Sequence, residues 1–227
     1  SEDYFKLWPQ DKAYFFAPDG DGFIAYKVTR GIAFALADPI APTIAARQRL
    51  LRDFCDFCTA NGWTVCFIPV EEGSQKLYEP PFNLLPIGSG AVIDINEFNE
   101  KTRHDKWWRW KRNQAVKAGL RYKVSSPPHA PEFLYQLKDV SDAWLQHGGR
   151  REQGFALGYF NMHYLNECRI HYLLDEHDMV VAFTNELPIF SGTQATVDLL
   201  RYTPTQDAAM PYLLMSLIEQ LGTEATY

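Results

Sequence analysis

Apolar and polar positions in the first ninety residues alternate in short runs separated by turn residues. The stretch "AYFFAPDGDGFIAYKVTRGIAFALADP" predicts strands near 13–17, 22–28 and 31–37, with breaks at Asp-Gly and Arg-Gly. The period then lengthens to that of a helix from about Thr43 to Ala60, stopped at Asn61-Gly62. "WTVCFIPV" reads as a buried strand, and a short helix around 72–79 precedes Pro80-Pro81. "AVIDI" predicts another strand, and a helix follows it to about Ala118, with Gly119 as its C-terminal cap. "SSPPHAP" reads as a linker and "EFLYQLKDVSDAWLQH" as an amphipathic helix. Three strands, "CRIHYLLDE", "MVVAFTN" and "ATVDLLRY", and a closing helix, "MPYLLMSLIEQLG", complete the chain.

The two halves share a pattern. Strand, "DGDGFIAYKV", strand and helix in the first half correspond to strand, "EHDMVVAFTN", strand and helix in the second. The pattern predicts an α/β (α+β) protein of two similar units, each a mainly antiparallel sheet flanked by helices. The expected organisation is a first unit over 1–95, a basic connecting helix and linker over 96–128, and a second unit over 129–227.

Composition changes this picture in one place. With 227 residues and 46% hydrophobic content the chain can fill a real core. No run of about 18 apolar residues and no charged-then-apolar leader is present, which predicts a cytosolic chain or the cytosolic part of a larger one. A net charge of −6 argues against a DNA-binding protein or a general nucleic-acid binder. Yet Lys101 to Lys123 holds nine Lys or Arg against one Asp, together with Trp107, Trp108 and Trp110, so positive charge is confined to one element. Three readings of that helix stand side by side. Its tryptophans could be packed between units with the charges solvated; its cations could track tRNA phosphates while an indole stacks on an unpaired base; or it could lie on an anionic membrane surface.

Other constellations carry less chemistry. "CDFC" at 55–58 has metal-ligand spacing, but the chain offers no second paired motif, and buried helix cysteines are the expected reading, with no metal. The six histidines form no ligand pair. "TPTQDAAM" at 203–210 has no glycine with which to approach a pyrophosphate, which predicts no use of acetyl-CoA.

Several landmarks, in order and spacing, resemble one family: "DKAYFF" at 11–16, "ADPIAP" at 37–42, "RNQAVKAGL" at 112–120, "SDAWL" at 141–145, "REQGFALGYF" at 151–160, "VVAFTN" at 180–185 and "VDLLR" at 197–201. The chain resembles the C-terminal catalytic domain of the aminoacyl-phosphatidylglycerol synthases, also called phosphatidylglycerol lysyltransferases or multiple peptide resistance factors. The resemblance implies two tandem N-acetyltransferase-like (GNAT) units. It also implies transfer of an amino acid, lysine or alanine, from aminoacyl-tRNA to the glycerol hydroxyl of phosphatidylglycerol at the inner membrane face. Membrane-spanning helices usually precede that domain, so a membrane-embedded partner domain is expected outside this chain. Two departures are visible: "PIGSGA" stands where the family tends to carry a charged Lys-Leu-Gly-Glu-like turn, and the chain stops at "GTEATY", so the second unit is expected to be truncated.

Exchanging one ester for another needs no cofactor. It needs a group to take the alcohol proton, a donor for the developing oxyanion, and subsites for two anionic substrates. Asp198 is the candidate for proton relay or orientation, and Arg201 for phosphate or oxyanion contact. By resemblance Glu152 falls where a carboxylate would hold the amino acid's ammonium, the alternative being a solvated loop charge. Lys106, Arg109, Lys111 and Arg112 are candidates for tRNA or lipid phosphates. Asp198 and Arg201, three apart, would leave opposite faces of a regular strand, so a shared pocket predicts a bulge or an early strand end. Alternative functions are an aminoacyltransferase with another acceptor and a non-catalytic tRNA or membrane docking module.

Overall fold

In a computed structural model of the chain, described here for residues 2–78, 82–147, 149, 151–188, 194–204 and 207–224, two compact units are resolved. One comprises residues 1–90 with 154–158, the other 91–153 with 159–227. Pro80-Pro81, Gly148, Arg150, Thr205 and Gln206, and the final "ATY", which entered the sequence reading, lie outside the described residues.

The first unit runs α1 (Glu2–Leu7), β1 (Ala13–Phe16), β2 (Phe23–Thr29), β3 (Ile32–Leu36), α2 (Ile44–Ala60), β4 (Thr64–Ile68) and a 3-10 turn (Glu72–Tyr78). The sheet order is β1-β2-β3-β4; the first three strands are antiparallel and β4 lies parallel to β3. Arg30 and Gly31, both at positive φ, form the two-residue loop between the paired Thr29 and Ile32, the geometry of a type I′ turn. Thr43 caps α2 by accepting the Ala46 N–H at 3.1 Å. The helix buries Leu50, Phe54 and Cys58 against Ile24, Tyr26, Ala33 and Ala35 of the sheet. Cys58 is thus a core side chain, and burial pushes its thiol up to about 11.

The second unit begins with α3 (Ile95–Glu100), a 3-10 turn (Thr102–His104), α4 (Lys106–Lys117) and β5 (Arg121–Ser125). It continues with α5 (Pro131–Gln146), α6 (Met162–Leu165), β6 (Arg169–Leu174), β7 (Val180–Glu186), β8 (Arg201–Tyr202) and α7 (Ala209–Glu224). Its sheet, β5-β6-β7-β8, is antiparallel throughout. α4 ends as expected: Gly119 at φ +71 donates to Val116 O, and Leu120 N–H reaches Ala115 O, both at 3.0 Å, a Schellman closure. α7 packs Met215, Ile218 and Leu221 with Phe98 of α3 and Trp108 of α4. Across the sheet His171, wholly buried, donates from Nε2 to Glu186 at 3.2 Å and accepts the Tyr122 hydroxyl at Nδ1 at 2.6 Å. Arg169 pairs with Glu224 and approaches Glu186 at 3.7 Å.

Three expectations need correction. "AVIDI" is no strand: residues 91–94 are irregular and Asp94 caps α3, accepting the Glu97 N–H at 2.8 Å. Asp-Ile-Asn-Glu is a helix-start signature, and it overrides the short apolar alternation. The stretch 96–128, expected as a connector, carries α4 and a strand, β5, that pairs along its length with β6, so it belongs to the second unit. "ATVDLLRY" forms regular bridges with β7 at Val197 and at Arg201–Tyr202, with an irregular stretch between them.

Two consequences are measurable. A Cβ on Gly22 would stand 2.6 Å from the Ile40 carbonyl oxygen and 3.2 Å from Leu50, beside the Phe23–Ile40 bridge. Gly22→Ala is therefore expected to lower stability by about 1–3 kcal/mol, read as a lower urea midpoint at unchanged slope. Hydrogen bonds from Arg169 hold Glu224 at about 2, below its ordinary 4.5. A carboxylate depressed on folding stabilises fully above its unfolded value, so this contribution is complete above pH 4.5 and is lost as the pH falls toward 2. Acid titrations of Glu224→Gln should lose less stability across that window than the parent protein.

Candidate functional site

The second sheet is irregular where it carries the candidate acid. Between the Glu186–Val197 bridge and the Phe183–Arg201 pair, three steps along β7 face four steps along the opposing segment, the signature of a β-bulge. The inserted residue reverses the alternation, so Asp198 and Arg201 are no longer held to opposite faces of the sheet. Backbone pairing continues through the irregularity: Asp198 N–H donates to the Asn185 carbonyl at 3.1 Å, and Leu199 N–H donates to the Asn185 side-chain oxygen at 3.0 Å.

Asp198 Oδ2 accepts the Tyr164 hydroxyl at 2.8 Å, and Asn185 Nδ2 donates to the same hydroxyl oxygen at 2.8 Å. The Asn185 amide also reaches Cys168 Sγ at 3.5 Å. Tyr164 comes from the single-turn α6, where Asn161 accepts the Tyr164 N–H at 3.0 Å as the helix cap. Burial, and then the neighbouring Asp198 charge, raise the Tyr164 hydroxyl far above the usual phenol range, so it stays protonated as a donor. Burial likewise pushes the Cys168 thiol up to about 11, which leaves it a packing group and not a nucleophile.

The other two acid–base candidates meet each other. Arg201, its side chain 7% exposed, donates to Glu152 Oε2 at 2.8 Å and lies over the Trp144 ring, 3.9 Å from its centroid. Glu152 Oε1 in turn accepts the Phe160 N–H at 3.2 Å. A planar guanidinium stacked on an indole and paired to a carboxylate is held in orientation as well as in charge. Glu152 is therefore no free loop charge.

The basic helix divides its cations. Arg112 donates to Glu219 at 2.6 Å with Arg103 on the same carboxylate at 3.3 Å, and Lys111 reaches the Asp207 carbonyl at 3.4 Å while sitting over Trp110. Lys106 and Arg109 are exposed. The tryptophans divide too: Trp108 packs edge-on against Phe98, whereas Trp107 and Trp110 are 49% and 51% exposed. Within the second unit the buried side of α4 is the one carrying Trp108 and Ala115.

Sequence reasoning missed Tyr164, Asn185 and Trp144. A polar Asn closing the otherwise apolar "VVAFTN" was a usable signal; Tyr164 and Trp144 lie far along the chain from their partners and gave none. Among the described residues no cluster of metal-ligating side chains is formed.

With this geometry in hand, likenesses to known proteins can be weighed. The family model described as phosphatidylglycerol lysyltransferase, C-terminal, matches residues 1–227. The phosphatidylglycerol lysyltransferase of Bacillus subtilis (strain 168) is 30% identical over 194 residues, covering 85% of this chain and 22% of that protein. The enzyme of the same name from Staphylococcus epidermidis RP62A is 30% identical over 202 residues, covering 88% and 24%. The chain thus spans under a quarter of these relatives. Among solved structures, L-PGS from Bacillus licheniformis superimposes with a TM-score of 0.82 at 30% identity, over 96% of this chain and 66% of that one. A C-terminal-domain structure from Agrobacterium fabrum shares the fold, with a TM-score of 0.87 at 24% identity over 99% and 71%. Matched along its entire length, the chain belongs to the phosphatidylglycerol lysyltransferase C-terminal family.

Proposed function

We propose that this chain is the transfer portion of an aminoacyltransferase that moves a lysyl group from its tRNA ester to the glycerol hydroxyl of phosphatidylglycerol. The observation that carries this reading is the match of residues 1–227 to a family named for that lipid and that amino acid. Three antiparallel strands followed by a helix, β1-β2-β3-α2 in the first unit and β6-β7-β8-α7 in the second, support reading the units as tandem GNAT-like modules. In this reading the reaction takes place at the inner face of the membrane, and the bilayer anchor lies in a domain outside this chain. Among the described residues no helix is long and apolar enough to cross a membrane.

The chemistry follows from the groups at hand. The aminoacyl group is held by an ester both in the tRNA donor and in the lipid product, so the exchange is near balanced and draws on no cofactor. Asp198, oriented by the Tyr164 hydroxyl, takes the proton of the attacking glycerol hydroxyl and returns it to the tRNA oxygen, which leaves as a hydroxyl when its ester bond breaks and the new one forms. The Arg201 guanidinium, fixed by Glu152 and Trp144, supplies oriented N–H groups toward negative charge. Lys106 and Arg109, exposed on α4, contribute to the field that attracts two anionic substrates.

Incubation with a mixture of charged tRNAs and phosphatidylglycerol vesicles, followed by lipid mass analysis, tests the reading. Lysyl-phosphatidylglycerol is the expected product. Vesicle or tRNA binding without any aminoacylated lipid would favour a docking module instead. In the same assay Asp198→Asn should cut turnover by about 100-fold or more with the melting temperature and tRNA binding retained; near-normal product would remove Asp198 from the mechanism. Replacing Lys106 and Arg109 together by Glu should weaken tRNA or vesicle binding and flatten its salt dependence, with little change in melting because both side chains are exposed. Arg112→Glu should instead lower the melting temperature, since it sets a second carboxylate against Glu219.

A further inference from the structure

We propose that Asn185 is a positioning residue for the transfer reaction: its one side chain holds the bulge that presents Asp198 and directs the Tyr164 proton onto that carboxylate. The inference rests on the reading of Asp198 as a transfer group. Its geometric half stands independently of that reading.

Asn185 is wholly buried, near the end of a strand whose first four residues are apolar. A valine or leucine would suit that environment better, so the amide is there for what it bonds. A bulge gives the longer strand one N–H more than the facing strand has carbonyls to receive. Here two successive N–H groups turn toward Asn185. Its main-chain oxygen takes that of Asp198 at 3.1 Å, and its Oδ1 takes that of Leu199 at 3.0 Å. Leu199 is buried, so without Oδ1 this N–H would lose its partner inside the protein. The side chain thus does for Leu199 what the ladder cannot.

The other end of the amide sets a proton direction. Because Oδ1 must face the Leu199 donor, Nδ2 faces Tyr164 and donates to its oxygen at 2.8 Å. A phenol has one proton to give. With its oxygen already receiving an N–H from Asn185, Tyr164 gives that proton to Asp198 Oδ2 at 2.8 Å. The backbone placement of Asp198 and the direction of the Tyr164 proton therefore both run through residue 185. Asn185 makes no claim to touch substrate; it acts through Asp198.

The test combines amide exchange with kinetics on the whole chain. In Asn185→Ala the Leu199 amide should exchange at least about tenfold faster than in the parent, while in Tyr164→Phe it should stay protected. With lysyl-tRNA and phosphatidylglycerol vesicles, both variants should lose roughly 10- to 100-fold in kcat at nearly unchanged KM, the scale of a misplaced reacting group. On an Asp198→Asn background neither should lose more, because the group they position is already gone. Should Asn185→Ala fail to fold, Asn185→Asp takes its place. It keeps an acceptor for the Leu199 N–H but pulls the Tyr164 proton away from Asp198, so Leu199 protection should persist while kcat falls. Parent-like Leu199 exchange in Asn185→Ala overturns the clasp. Full kcat in Tyr164→Phe and Asn185→Asp, or a further loss on the Asp198→Asn background, overturns the positioning role. A parent protein that makes no lysyl lipid sinks the functional reading instead, and Leu199 exchange still decides whether Asn185 holds the bulge.

Discussion

Strand β7 constrains everything around the candidate site because six of its seven residues are buried. Burying a polar group in a strand enclosed on both faces is costly unless it finds a partner. Of the polar side chains of β7, Asn185 and Glu186, side by side, find partners on opposite faces. Glu186 turns to the wholly buried His171 and to Arg169, which is anchored on Glu224 of the closing helix. Asn185 turns to Tyr164, Cys168 and the bulged segment. One strand therefore locks the sheet to α7 on one side and shapes the acidic site on the other. The bulge itself becomes tolerable because a side chain completes the ladder that the backbone leaves open.

The same accounting applies to the cationic segment that stands out in an otherwise acidic chain. Part of its charge is spent inside the second unit: Arg103 and Arg112 share Glu219, and Arg121 reaches Asp178 at 2.6 Å. These cations attach the segment to the fold. The outward remainder includes Lys106, Arg109, Lys117 and Lys123, of which Lys106 and Arg109 lie on α4 with the half-exposed Trp107 and Trp110. Cations flanking indoles suit a surface that offers both phosphates and either base faces or a headgroup layer.

Much of the fold was legible because its signals are local. Asp-Gly and Arg-Gly turns, the Thr43 cap, Asn61-Gly62 and Gly119 each act within a few residues, and the strands and helices they delimit lie within a residue or two of expectation. Two failures have local causes that were misweighed. At "AVIDI" a cap signature competed with alternation and won, and β5, "RYKVS", was hidden by the basic residues on its exposed face. The site was legible only in part, because its bonds are long-range. Glu152 and Arg201 lie 49 residues apart, Tyr164 and Asp198 34 apart. Nothing in one sequence announces such pairs. What could be read was a conflict: Asp198 and Arg201 would leave opposite faces of a regular strand, and the bulge removes that constraint.

That resolution also separates the two acidic candidates by their partners. Glu152 faces a guanidinium at 2.8 Å whose other side is covered by Trp144, so carboxylate and cation largely cancel at a distance. To a substrate ammonium such a pair offers a dipole and hydrogen-bonding edges, not a net negative charge, and its pull falls off quickly with separation. Asp198 accepts the Tyr164 hydroxyl at 2.8 Å, a donor that orients the carboxylate. In the proposed transfer, an approaching hydroxyl needs a base held in place in this way. The partners therefore fit the two carboxylates for different work. Glu152 fixes the direction of Arg201, and Asp198 is the carboxylate that Tyr164 orients for the proposed transfer.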